Sequence, residues 1–422
     1  MRCCPRQSWI VGAILVAALM VRLLAALWWQ ERLGDPQAFG FPDSHSYWYL
    51  AEKLATGEPY EYGGPDFRVF RAPAYPLVLA GMFRVVGTDA PVLDARVVGA
   101  VLGTLTVAAV MWLGYVLFDA SVAGLSGAIV AVYPGSVAMS IFVLAEGLFC
   151  LAMVIQLVAW VLAWQVTAHW KSRGWGVLSG LASGLAVLTR PSWLLFVPFV
   201  LAFLLLGSSA RRRHLEIGVC IVLGTCVAMG PWWVRNYQAV GQFVPTTLQV
   251  GASLYDGLNP DATGASNMPF STPFYRAQKE ADAAADVGPQ GFEARLDRRL
   301  RDAAVEWAVA HPGEVMRLMG QKLVRMWNVW PNADEFRSWP LRLVVAAGYV
   351  PVLIAGAVGL WCWGRRGWPY LLCGFPALYF TGLHVVFVSS IRYREPAMLV
   401  WSVLAAAAVS AGCARGCRAA GS

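Results

Sequence analysis

Apolar runs long enough to cross a bilayer recur from one end of this chain to the other, and they constrain it more than any other feature. A hydrocarbon core of ~30 Å takes about 20 apolar residues in a helix. Ten segments meet or approach that length: 9–29, 96–118, 121–141, 144–167, 174–189, 192–207, 215–234, 342–363, 368–388 and 396–414. Charged residues make up 14% of the 422, where a soluble chain carries roughly a quarter. The expected class is an all-α polytopic membrane protein of about ten transmembrane helices. The net charge of +8 gathers at helix ends, so membrane lipids explain it and nucleic acid is not an expected partner. None of the nine Cys falls in a long polar loop, which argues against a disulfide framework or a metal knuckle. The N-terminus is short and basic and lacks a small-residue cleavage site, so residues 9–29 read as a retained span.

The basic clusters orient the chain. Arg2 and Arg6 precede the first span, Lys171 and Arg173 follow the fourth, and Arg211, Arg212 and Arg213 follow the sixth. Arg365 and Arg366 follow the eighth, and Arg415 and Arg418 follow the last. With ten crossings all of them share one side, which the positive-inside rule makes the cytoplasm. Both termini are then cytoplasmic. Arg190-Pro191 breaks the fifth and sixth spans near the outer face. The chain divides into a core, 1–234, with a first outer loop at 30–95, a second outer loop at 235–341, and terminal spans at 342–422.

The loops have their own pattern. Tyr47, Leu50, Ala51 and Leu54 fall at helical spacing, starting near Asp43-Ser44 and ending at Gly57. "RAPAYPLVLAGMFRVVG", 71–87, reads as a second short helix at the membrane surface. Residues 241–266, rich in Gly and Asn, read as irregular. From Phe292 the pattern turns helical, breaks at "HPG" (311–313), and resumes with Val315, Leu318, Met319, Leu323, Met326 and Trp327 on one face. Arg317, Lys322 and Arg325 oppose that face, which suggests an amphipathic pair at the outer interface.

Several polar residues are out of place for a purely structural role. Asp43 could cap a helix, yet "HSYWY" follows it at a membrane exit, where a carboxylate is partly desolvated. Glu146, in "VLAEGLF", suits a helix N-terminus, but an acid at the edge of hydrocarbon is costly. Arg190, Arg392 and Arg394 sit in short outer turns, where the positive-inside rule depletes Arg. Arg68, Arg71 and Arg235 join them in the longer loops. Snorkelling to headgroups, or pairing with Glu395, is one reading. Phosphate recognition by a planar, bidentate guanidinium is the other, favoured for the set. His45 lies two residues past Asp43 and could meet the same ligand. A divalent cation, if one binds, would take Asp43 and Glu146; no metal site is otherwise expected.

"PDSHSYWYLAEKLATGEPY" and "RVFRAPAYPLVLAGMFRVVG", with "LTRPSWLLFVPF", "PWWVRNYQAVGQFVPTT" and "RYREPAMLVWSVLAA", resemble the GT-C membrane glycosyltransferases. The similarity is to the bacterial aminoarabinose transferases and protein O-mannosyltransferases, and it runs along nearly the whole chain. The resemblance implies a bacterial cytoplasmic-membrane enzyme with an extracytoplasmic active site. It implies a polyprenyl-phosphate sugar donor, with Asp43 at the position of the essential first-loop acid and Glu146 at that of a second. Two departures are visible: Ser44 stands where many mannosyltransferases carry a second acid, and the large periplasmic domain of some relatives is missing. Asp43 would act as general base, the arginines would hold the leaving phosphate, and the acceptor would be a lipid, glycan or protein. A transporter or flippase of lipid-linked glycans, a glycan ligase or polymerase, and a non-catalytic assembly subunit are the rival readings. The transporter predicts charges near mid-bilayer, whereas the spans are largely free of charge, Arg22 near the outer half of the first being the main exception, which argues for surface chemistry over transport.

Overall fold

In this computed structural model residues 5–331 and 338–420 are described. Arg2, Cys3 and Cys4 lie outside them, as do the side chains of Arg6, Cys413, Arg415, Cys417 and Arg418. The described residues form eighteen α-helices and no strand. In chain order they are α1 (Pro5–Leu33), α2 (Pro42–Thr56), α3 (Ala74–Val86), α4 (Val92–Leu117), α5 (Ala120–Val132) and α6 (Pro134–Ile141). Then come α7 (Glu146–Gln165), α8 (His169–Thr189), α9 (Phe196–Gly207), α10 (Arg211–Val240), α11 (Val250–Gly257) and α12 (Ser271–Ala284). The last six are α13 (Phe292–Ala310), α14 (Pro312–Trp327), α15 (Trp339–Trp363), α16 (Trp368–Leu371), α17 (Phe375–His384) and α18 (Glu395–Ala420).

All ten expected spans fall on helices, and the chain is a multi-pass membrane protein. Among the described residues, α1, α4, α7, α10, α15 and α18 are long and apolar enough to cross a membrane, and α5 with α6 makes a seventh, bent by 60°. The remaining spans correspond to α8, α9 and the pair α16–α17. With 12 residues, α9 covers only about 18 Å, in keeping with the break at Arg190-Pro191. Helix α7 lies at the centre, packed on α4 and α8, with α10 behind α8 and α18 against α15. Its Phe149 and Trp160 are fully buried, as is Trp193 beyond the break.

Arg22 is explained by the bend. Pro134 has no N–H to offer the carbonyl of Val130, one helical turn back. The Arg22 guanidinium fills that gap, donating to Val130 O at 3.2 Å, Ala131 O at 3.1 Å and Ser136 Oγ at 2.7 Å. It also donates to Ser140 Oγ and to Ala18 O in its own helix. The cation is fully buried with its partners, which is a structural reason for its place.

The two long loops differ from the sequence reading in three places. Helix α2 starts one residue earlier than expected, with Pro42 in its first turn and Phe41 as an N-cap that lends no side chain. Asp43 therefore does not cap it. Gly57, at φ +77, ends it as expected. Second, α11 and α12 lie where irregular chain or no element was expected. Helix α11 is held by a tertiary contact that periodicity cannot reveal: Gly251 N–H donates to Asp297 Oδ1 at 2.7 Å, and a Cβ at 251 would meet the Asp297 carbonyl. Third, Lys322 is not on the polar face of α14. It is fully buried on one stripe with Leu318 and Met326, while Leu323 and Val324 face outward.

Candidate active site

Five of the sequence-predicted residues converge, and each comes from a connection at one end of the bundle. Asp43 opens α2 and Arg71 precedes α3. Glu146 opens α7, Arg190 sits between α8 and α9, and Arg392 lies in a 3-10 turn, Ile391–Tyr393. Arg71 Nη2 donates to Asp43 Oδ1 at 2.9 Å, and Arg392 Nη2 reaches Asp43 Oδ2 at 3.4 Å. Arg392 Nε lies 3.1 Å from Glu146 Oε1, and Arg190 Nη1 lies 3.2 Å from the same oxygen. A continuous chain of charge thus runs Arg71–Asp43–Arg392–Glu146–Arg190.

The surroundings fix this chain in place. Arg71 donates to Ser46 Oγ at 2.9 Å and to Gln249 Oε1 at 3.4 Å. Its guanidinium stands 4.9 Å from the Tyr47 ring centre, within cation–π range. Arg190 and Arg392 flank the Tyr393 ring at 5.3 and 5.2 Å. The turn carrying Arg190 is pinned by Trp193, whose Nε1 donates to Gln156 Oε1 at 2.6 Å. Arg96 ties the start of the first loop to the end of α6, donating to Ala38 O at 2.9 Å and Ile141 O at 2.9 Å.

Glu146 is buried, with a side chain 5% exposed, whereas the Asp43 side chain is 44% exposed. Burial pushes the Asp43 carboxyl up, but Arg71 and Arg392 outweigh it and hold the group below the usual carboxylate range. For Arg392, burial works against the charge; Glu146, Tyr393 and Asp43 more than offset it and raise its pKa. Two carboxylates among three guanidinium groups leave this cluster with one net positive charge. An anion is the complementary ligand.

Four other sequence-predicted residues lie apart. His45 is exposed and meets the Phe39 ring edge-on at 4.6 Å. Arg68 pairs with Glu61 at 2.9 Å. Arg235 donates to the carbonyls of Arg68 and Tyr60, so it supports the first loop from α10. Arg394 is fully buried, donates to Met326 O at 3.0 Å and Asn328 O at 2.5 Å, and pairs with Glu395. Tyr47, Ser46, Gln249 and Tyr393 were not singled out by sequence. A polar or aromatic residue beside a candidate Asp or Arg was the available signal, and it is a weak one.

Residues 71–233 match the family model described as dolichyl-phosphate-mannose-protein mannosyltransferase. None of the curated proteins matches this chain in sequence. Among solved structures, the apo oligosaccharyltransferase of Archaeoglobus fulgidus aligns at TM-score 0.59 and 16% identity, over 94% of this chain and 50% of that one. The same archaeon's oligosaccharyltransferase AglB, in complex with an inhibitory peptide and a dolichol-phosphate, aligns at TM-score 0.58 and 15% identity, over 96% and 50%. The chain has the GT-C fold.

This chain spans about half the length of these archaeal proteins. A looser overlay, TM-score 0.43 at 18% identity, is with ArnT of Cupriavidus metallidurans bound to undecaprenyl phosphate, over 94% of this chain and 77% of that one. In this GT-C core a divalent ion fits poorly as the carboxylates now stand. Asp43 and Glu146 both face guanidinium groups, and Arg392 lies between them. Among the described residues no three His, Cys, Asp or Glu side chains gather as a ligand set.

Proposed function

We propose that this chain is an integral membrane glycosyltransferase of a bacterial cytoplasmic membrane, with termini inside and its cluster of charge outside. It would transfer a hexosyl or pentosyl group from a polyprenyl-phosphate donor to an extracytoplasmic acceptor. The observation that carries the reading is the net positive charge of the linked set Arg71, Asp43, Arg392, Glu146 and Arg190. The donor's phosphate would settle between Arg71 and Arg392, displacing part of their contact with Asp43. The dolichol-phosphate held by the archaeal neighbour is a ligand of the same chemistry.

The reaction follows from that exchange. An acceptor hydroxyl or amine attacks the anomeric carbon, its new bond forming as the bond to the phosphate oxygen breaks. The polyprenyl phosphate leaves with the electron pair, and the guanidinium groups neutralise the charge that develops. Asp43 takes the acceptor's proton. In the free enzyme the two arginines hold it too acidic to be a strong base. Once phosphate draws on their charge, the Asp43 pKa rises toward the range where general bases work, a step worth ~10²–10⁴-fold. Glu146 keeps Arg190 and Arg392 aimed at the phosphate.

The test is transfer of labelled sugar from polyprenyl-phosphate sugars by membranes holding the protein. Wild type should release label to an acceptor, and Asp43→Ala should lose at least ~10²-fold in rate. Equal release by both would exclude the proposal.

A further inference from the structure

Both phosphate-facing arginines are braced by the second outer loop. Glu293 opens α13 with a side chain that is 3% exposed. Its Oε2 accepts the backbone N–H groups of Arg68 and Val69, each at 2.8 Å, three and two residues before Arg71. Val69 O in turn accepts Leu248 N–H at 3.1 Å, next to the Gln249 that meets Arg71. Glu293 thus grips the loop segment that presents Arg71. The charged groups facing it are Arg235 from α10 and Asp297 from its own helix; Arg68 and Glu61 from the first loop face Arg235 in turn.

The Arg392 turn is gripped in the same manner from α14. The buried Lys322 Nζ donates to Val386 O at 2.6 Å and to Gly257 O at 2.9 Å. Arg325 Nε donates to Ser389 O at 3.0 Å, and Ser389 Oγ donates to Lys322 O at 2.7 Å. These contacts lie three to six residues before Arg392. A buried ammonium costs several kcal/mol in desolvation unless its donors are satisfied, so its place is specified by the carbonyls it joins. Among the described residues Lys322 hydrogen-bonds two backbone segments and pairs with no acid, though the charge of Asp256 acts on it, and this is the geometry of a brace.

We infer that Glu293 and Lys322 are positioning residues, which set Arg71 and Arg392 from α13 and α14 so that donor phosphate meets both guanidinium groups at once. This rests on the proposed function.

The experiment measures binding of undecaprenyl phosphate to the purified full chain and uses two double-mutant cycles. Glu293→Ala should weaken binding about tenfold, as Arg71→Ala does, and should add nothing in an Arg71→Ala background. Lys322→Met should behave likewise with Arg392→Ala. Glu293→Gln keeps an acceptor oxygen and should bind within about twofold of wild type. Where alanine or methionine prevents folding, Glu293→Asp and Arg325→Gln test the same two braces. Losses that multiply in the double variants would indicate general damage and overturn the inference. So would wild-type binding by the Glu293 and Lys322 variants while Arg71→Ala and Arg392→Ala bind weakly. Wild-type binding by Arg71→Ala and Arg392→Ala would overturn the proposed function, and the inference with it.

Discussion

Arg392 stands between two acids, its Nε 3.1 Å from Glu146 Oε1 and its Nη2 3.4 Å from Asp43 Oδ2. The terminal turn is thereby joined to the first long loop and to the start of α7. Glu146 also holds Arg190, so it is the shared counter-charge of two guanidinium groups that are 13% and 22% exposed. Removing one partner of a buried ion pair costs about 3–5 kcal/mol, because the other charge stays behind. Glu146→Ala should therefore destabilise the protein by ~3 kcal/mol, read by denaturation in detergent. Glu146→Gln, which keeps an acceptor, should cost less. No change in either variant would mean the pair is solvated.

Asp43 sets a pH expectation. Its pKa is lowered, so in the free enzyme it stays ionised above the ordinary carboxylate value, and its contribution is lost only as pH falls below it. The acid limb of kcat/KM should thus lie below about pH 4. Arg71→Gln or Arg392→Gln removes a cation that holds the value down and should move that limb to higher pH. A limb that stays put in both variants would show that neither arginine governs the group.

Much of this was legible in the sequence, and the limits have physical causes. Apolar length located the helices, six of them long and apolar enough to cross a membrane and a seventh if the bent pair α5–α6 is one span, because a bilayer demands such length. Arg in short turns expected on the outer side flagged Arg190 and Arg392, because the positive-inside rule depletes Arg there. The same signal picked Arg394, which is instead buried against Tyr349 and the carbonyls of Met326 and Asn328. One turn can point neighbouring arginines to opposite sides, and sequence spacing does not say which. Lys322 looked like a solvated charge because its partners, Gly257 and Val386, are carbonyls distant in sequence. Helix α11 depends on Gly251 meeting α13, a contact with no local pattern.

Glu293 carries a second pH expectation. Burial pushes its carboxyl up from 4.5 to about 7, against the two backbone N–H groups that favour the ionised form. The folded protein then holds this proton more tightly than the unfolded chain. Its stabilising effect is complete below about pH 4.5 and fades as pH rises to 7. At ~1.4 kcal/mol per pK unit the change is roughly 3 kcal/mol. The stability difference between wild type and Glu293→Gln should shift by about that amount, against wild type, from pH 4.5 to 7. A difference independent of pH would contradict the raised pKa.

Arg22 should prove structural. Arg22→Leu leaves Val130 O, Ser136 Oγ and their neighbours at the α5–α6 bend without a donor. Each unmet buried group costs about 1–3 kcal/mol, so a loss of several kcal/mol in stability is expected. Donor affinity in the protein that still folds should be unchanged. A large fall in affinity with normal stability would place Arg22 in the functional path instead.

The account turns on phosphate binding by Arg71 and Arg392, and the direct measurement is the Kd of undecaprenyl phosphate for the purified protein. A hydrogen bond to a charged group contributes about 1.5–3 kcal/mol, so Arg71→Ala and Arg392→Ala should each weaken binding at least about tenfold. Arg212→Ala, at a side chain 93% exposed, should leave it unchanged. Equal Kd values across wild type and all three variants would contradict the account.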